Sequence, residues 1–125
     1  MKTSISGAVL LFAIALIPFS TLTSQQAGQT QRIPQFENGD VAVWKTTIQP
    51  NAPLTMHTHE HPRVIIALSG GTMKVVNEDG TSEQHQWDTG KAYWLPTEEG
   101  KKRHGDANLG SRPIEVMVVE VKNAK

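Results

Sequence analysis

The sequence contains no cysteine, which excludes disulfides and a lipid anchor on a cysteine side chain. It also lacks an excess of either charge, with 12 Lys and Arg against 12 Asp and Glu. Because nucleic acids and anionic membranes require a clustered basic surface, no nucleic-acid partner is expected. A small chain without disulfides must be stabilised by packing, by oligomerisation or by a bound metal.

The apolar run near the N terminus is too short for a transmembrane helix. It extends from Gly7 to Phe19, whereas a helix that crosses a bilayer needs roughly 20 residues. Lys2 precedes the run and small polar residues follow it through Ser24, which is the order of a secretory signal peptide. We therefore expect residues 1–24 to be a signal peptide, with no stable membrane anchor and a periplasmic or secreted mature protein.

The rest of the chain has the pattern of one β domain. Residues 25–35 are polar and lack periodicity, which is typical of a flexible linker. A single folded domain is expected over residues 36–125. It contains short β-branched or alternating runs separated by turn residues, namely VAVWKTTI, RVIIAL, TMKVV, KAYWL and IEVMVVEV. Such spacing indicates an all-β barrel or sandwich, and Asp79-Gly80 predicts a hairpin turn.

The stretch TMHTHEHPRV, residues 55–64, concentrates three of the five histidines. In an extended segment His57 and His59 project to the same side, where two imidazoles can bind one ion. Pro62 indicates that the chain turns there, so His61 is interpreted as a turn residue, with a role as fourth ligand as the alternative. His104 is the next candidate ligand, but only the tertiary fold can bring it near. His85 fits the polar face of a hairpin and is assigned no function.

The spacing of these residues resembles the two sequence motifs of the cupins. The first motif is matched by Asn51, His57, His59, Arg63 and Gly70. The second is matched, with short insertions, by Gly90, Pro96, His104 and Asn108. The segments LSGGTMKVVNEDG and GSRPIEVMVVEVK are also similar to small cupins described as β-alanine degradation proteins.

This resemblance implies an all-β, single-domain cupin-type double-stranded β-helix, or jelly-roll barrel, that forms a homodimer. It implies a divalent transition metal bound by His57, His59 and His104, with iron, manganese, nickel, copper and zinc as the options. Asn51 replaces a glycine of the motif, and asparagine tolerates the left-handed backbone conformation better than most residues.

Arg63 stands where the first motif has a glutamate ligand, and two readings follow. In one, Arg63 binds the carboxylate of a small organic acid beside a metal held by three neutral histidines, as in three-histidine cupins of the thiol dioxygenase kind. The protein would then be a metal-dependent oxygenase or isomerase. In the other, Arg63 pairs with Glu60, Glu115 or Glu120, no metal is bound, and the histidines only line a polar pocket. The alternative function is a non-catalytic module that captures a small anion through Arg63, with or without metal. No general base is evident, although Glu60 and His61 are close in sequence to the ligands.

Overall fold

The computed structural model describes residues 28–124, so the predicted signal peptide lies outside the described residues. The described chain forms eight strands and one short helix. Their bounds are β1 Gln31–Glu37, β2 Val41–Ile48, β3 Arg63–Ser69, β4 Gly71–Asn77, β5 Ser82–Trp87, β6 Ala92–Leu95, α1 Glu98–Lys101, β7 His104–Asn108 and β8 Ile114–Val121. In this part of the chain no helix is long and apolar enough to cross a membrane.

The strands form two antiparallel sheets that face each other. One sheet has the order β1-β2-β8-β3-β6, and the other has the order β5-β4-β7. Since most neighbours in the larger sheet are distant in sequence, its pairing depends on the tertiary fold rather than on hairpins. The chain passes between the sheets near β7, where His57 and His104 form an isolated bridge.

The core lies between the sheets because alternate residues of the strands point inward and are buried. On β8 the inward residues are Ile114, Val116 and Val118, which are all buried. Ile65 of β3 lies opposite Val118 in the register, and Trp87 of β5 completes the cluster from the other sheet. The same inward row of β3 begins at Arg63, so a cation occupies a position that the strand otherwise gives to apolar side chains.

Three motif positions have the backbone roles that their residue types suggest. Asn51 adopts φ 58°, the left-handed conformation expected from its replacement of a glycine. A Cβ on Gly70 would lie 2.0 Å from the carbonyl oxygen of Trp87, so only glycine fits there. Asn108 donates from Nδ2 to the carbonyl oxygens of Ile48 and Arg112, which ties β7 to the end of β2.

The ordered β structure begins earlier than the sequence indicates. Residues 25–35 were expected to be a linker, but β1 starts at Gln31 and pairs along β2. Every residue of β1 is exposed. Its sequence therefore lacks the apolar pattern of a buried face by which the other strands are predicted. Its order comes from backbone pairing with β2 and not from a hydrophobic face.

Candidate metal centre

Backbone hydrogen bonds hold the histidine-rich stretch against β7 and α1. His57 N donates to the carbonyl oxygen of His104 at 2.8 Å, and His104 N donates back to that of His57 at 2.9 Å. His59 N donates to the carbonyl oxygen of Gly100 at 2.8 Å. Residues 55–62 are an extended loop outside the strands. The hydrogen bonds of His57 and His59 fix this loop at two points.

These bonds bring the three predicted ligands together. One ring nitrogen of each of His57, His59 and His104 lies within 4.8 Å of the others. The ring centroids are 4.9 Å apart for His57 and His59, and 4.5 Å apart for His57 and His104. A set of three nitrogens at this spacing suits a divalent metal ion.

Hydrogen bonds to backbone carbonyls orient two of the rings. The Nδ1 atoms of His57 and His104 lie 2.7 Å from the carbonyl oxygens of Thr55 and Lys102, respectively. A carbonyl can only accept, so both Nδ1 atoms carry the proton and both neutral rings keep a lone pair on Nε2. The Nε2 atom of His57 is buried and has no hydrogen-bond partner within residues 28–124. Histidines that bind a metal through one ring nitrogen are commonly oriented in this way, by a hydrogen bond from the other ring nitrogen.

The surroundings keep His57 and His59 neutral. Burial, reinforced by the Arg63 cation, lowers the pKa of His59 to about 2. Burial also lowers the pKa of His57 from its ordinary value. Neutral imidazole is the form that binds a metal, so these two histidines need lose no proton at neutral pH.

Arg63 is buried beside this cluster, with 5% of its surface exposed. Gly100 allows the approach, because a Cβ there would lie 2.6 Å from Nη1 of Arg63 and 2.7 Å from Cβ of His59. Burial lowers the pKa of Arg63, while the carboxylates of Asp106 and Glu120 oppose that shift. An arginine nevertheless stays charged in proteins.

None of the carboxylates suggested as partners of Arg63 forms a salt bridge with it within residues 28–124. Glu115 lies 3.5 Å from Nζ of Lys45, and Glu60 is exposed. Glu120 is opposite Arg63 in the strand register, but its Oε2 lies 3.7 Å from Nδ1 of His59. Nη1 of Arg63 has no hydrogen-bond partner in the described chain. A buried unpaired donor of this kind favours an external acceptor.

Asp106 is a further residue of the site that the sequence analysis missed. Its Oδ2 lies 3.7 Å from Nε2 of His57, and its side chain is buried on β7. It follows His104 by two residues on the same strand face, which was a usable signal once β7 had been recognised as a strand.

A cavity of about 60 Å³ lies between the sheets. Its charged and imidazole lining comes from both sheets: Arg32, His59, Arg63, Glu83, His85, Glu99, His104 and Asp106. His85 was interpreted as a residue on a polar hairpin face. The structure instead turns it towards the cavity, with Nε2 3.4 Å from Oε1 of Glu83.

Aromatic residues have three different roles around the cavity. Trp44 stacks on the His59 ring at an interplanar angle of 4°, and Arg32 of β1 lies over Trp44 at 5.5 Å from its ring centroid. Trp87 is buried in the core. Trp94 is 56% exposed because β6 is an edge strand and turns this side chain outward. Neither Glu60 nor His61 lines the cavity.

Solved structures with the same architecture identify the fold. A cupin domain from Bordetella pertussis Tohama I is 20% identical, with a TM-score of 0.66 over 78% of this chain and 97% of the other. A double-stranded β-helix protein from Klebsiella pneumoniae is 22% identical, with a TM-score of 0.56 over 78% and 82%. An RmlC-like cupin from Methanocaldococcus jannaschii is 18% identical, with a TM-score of 0.58 over 78% and 84%.

The chain therefore has the cupin fold, and the predicted all-β double-stranded β-helix barrel is confirmed. No protein-family model and no curated protein sequence matches the chain. Fold and site together define a cupin barrel with three histidines placed to hold a divalent metal. The narrower similarity to β-alanine degradation cupins stays a prediction.

Proposed function

We propose that this protein binds a divalent transition metal through His57, His59 and His104 and acts on a small organic acid held by Arg63. The observation that carries the proposal is the convergence of three ring nitrogens, two of them on rings oriented by backbone carbonyls, beside a buried guanidinium whose Nη1 has no partner in the described chain. When bound, iron would supply oxygen chemistry, as in a dioxygenase, whereas zinc or nickel would polarise the substrate for isomerisation.

The charges around Arg63 support an anionic substrate. Its charged neighbours are Asp106, Glu120, Glu99 and Arg32, so three carboxylates face two guanidinium groups, with one net negative charge. A bound dication would shift this balance towards positive charge. A substrate carboxylate would offset that charge, and Arg63 can hold a carboxylate through two parallel hydrogen bonds.

The cavity supports a small substrate. Its volume of about 60 Å³ corresponds to roughly four to six water-sized positions at about 10–15 Å³ each. The ion takes one of these positions, which leaves space for an acid of two or three carbons. A larger substrate would require the cavity to open at its rim.

Metal analysis of the purified protein tests the first half of this proposal. We expect about one equivalent of metal per chain, because three nitrogen ligands already form a strong site. His57→Ala or His104→Ala should abolish binding, whereas His85→Ala, which removes an imidazole from the same cavity, should not. Unchanged metal content in both ligand variants would contradict the proposal.

A non-catalytic anion-binding barrel is the second candidate, and the Nη1 atom of Arg63, without a partner in residues 28–124, favours it equally. The two candidates differ in oxygen consumption and product formation when the metal-loaded protein is given small acids. Titration of acetate into wild-type and Arg63→Met protein measures the anion site on its own. Acetate binding without turnover of any small acid would favour the binding module.

Export and dimerisation complete the proposal. Export is supported by the order of residues 1–24, and the homodimer by the cupin resemblance alone. Mass spectrometry of the mature N terminus and sedimentation equilibrium test the two parts separately.

A further inference from the structure

We propose that Asp106 is a fourth ligand of the metal, supplying from β7 the carboxylate that the first motif lacks at Arg63. This inference rests on the proposed binding of a metal by the three histidines. It assigns a role to Asp106, which was not predicted from the sequence. It also explains how Arg63 can occupy the motif position of a glutamate ligand.

The position of Asp106 on β7 directs its side chain to the histidines. Residues two apart on a strand share a face, so Asp106 projects to the same side as His104. Its side chain is 12% exposed, and its carbonyl oxygen accepts from Leu54 N at 2.8 Å. Val75 of β4 lies opposite it in the register. The carboxylate is therefore held inside the barrel by a paired strand and not by a mobile loop.

The contact between Asp106 and His57 indicates a missing cation. Nδ1 of His57 donates to Thr55, so in the neutral ring Nε2 presents a lone pair. That lone pair faces Oδ2 of Asp106 at 3.7 Å, and no donor of the described residues lies between them. Two acceptors facing each other in a buried site repel, and a metal ion between them converts the repulsion into two bonds.

The separation also fits shared coordination. Two ligand atoms about 2.1 Å from one ion are roughly 3.0–3.4 Å apart at tetrahedral or octahedral angles. The observed 3.7 Å from His57 is near that range, and the carboxylate must also approach the other two rings, because among the described residues the group of atoms within 4.8 Å of one another contains only the three histidines. A protonated His57 paired with Asp106 is the alternative explanation, and it predicts that removal of the Asp106 charge does not weaken metal binding.

Glu120 provides a matched comparison for Asp106. Its Oε2 is also 3.7 Å from a ring nitrogen of the cluster, Nδ1 of His59. Glu120 lies directly across from Arg63 in the register, however, so its charge is shared with a cation. We infer that Glu120 is a positioning residue that orients His59, whereas Asp106 touches the metal.

Cobalt(II) titration of the full chain, read from the visible spectrum and by competition with a chelator, tests the assignment. We expect Asp106→Asn to weaken cobalt binding by more than the roughly 10–100-fold typical of an outer-shell partner, and to shift the cobalt absorption bands. Glu120→Gln should stay within that range and keep the wild-type bands. Equal losses in the two variants with unchanged bands would overturn the role of Asp106.

The cobalt titration also distinguishes failure of the proposed metal binding from failure of the fourth ligand alone. If wild-type protein binds no cobalt and His57→Ala behaves identically, both inferences fall together. If wild type and Asp106→Asn bind equally while His57→Ala does not bind, only the fourth ligand is wrong. Should the Asp106 variants not fold, a crystal structure of zinc-loaded wild type decides: a zinc–carboxylate distance near 2.0–2.2 Å supports the ligand, and one beyond about 3 Å removes it.

Discussion

At the scale of single residues, Arg63 determines how the site differs from the cupin pattern. A buried cation near a divalent metal repels the ion, by roughly 2 to 8 kcal/mol at about 4 Å depending on the local dielectric. Asp106 and Glu120 reduce this repulsion from two sides. The same cation, with Nη1 free of partners in the described chain, is suited to hold a substrate carboxylate.

Arg63→Glu should tighten metal binding and abolish acetate binding, because it exchanges a repulsive charge for a carboxylate donor. Metal affinity is measured by chelator competition, and acetate binding by calorimetry. Arg63→Met is the matched control, since it removes the charge and adds no donor, so it should give a smaller gain in metal affinity. A fall in metal affinity for Arg63→Glu would show that Arg63 is not near the ion.

At the scale of elements, the short helix α1 supports the site through Gly100. Alanine is the better helix former by about 1 kcal/mol, so Gly100→Ala would stabilise an isolated helix. In this fold the added Cβ would meet Arg63 and His59 at less than 3 Å, and overpacking of that kind costs typically 1–3 kcal/mol. The packing of α1 against the site therefore outweighs its helix propensity.

We expect Gly100→Ala to lower the free energy of unfolding by about 1–2 kcal/mol and to weaken metal binding. Chemical denaturation and chelator competition measure the two effects. Gly39→Ala is the control, because a Cβ there has no neighbour within 4 Å. If the Gly100→Ala protein were as stable as the Gly39→Ala protein, α1 would be able to shift away from Arg63 and His59 without disturbing the histidines.

Elements also determine what the sequence predicted and what it could not. β2 and β8 match the predicted runs VAVWKTTI and IEVMVVEV, because β-branched residues and alternation mark strands locally. β1 and β7 lack this combined pattern: β1 pairs with the neighbouring β2 without a buried face, and β7 pairs with the distant β4. The three histidines were predicted because motif spacing preserves them. Arg32 and Asp106 were missed because their places in the site depend on β1 and β7.

At the scale of the whole molecule, burial of the histidines makes stability depend on pH. The folded-state pKa of His59 is about 2, and its ordinary value is 6.5. The pKa of His57 is lowered in the same direction. Below about pH 6.5 the unfolded chain therefore binds more protons than the folded chain, so the free energy of unfolding falls as the pH decreases.

Metal-free protein should lose about 2 kcal/mol of stability through His59 between about pH 7 and about pH 5, at roughly 1.4 kcal/mol per pH unit once His59 is charged in the unfolded chain. Urea denaturation in the presence of a chelator measures the slope. His59→Gln should flatten it, whereas Thr58→Ala, which changes an exposed neighbour without a titrating group, should retain it. Added metal should raise stability at neutral pH and make the decline steeper, because ligand and proton compete for the same imidazoles. An unchanged slope in His59→Gln would show that His59 does not carry the pH dependence, and the neutral state of the site would then need another cause.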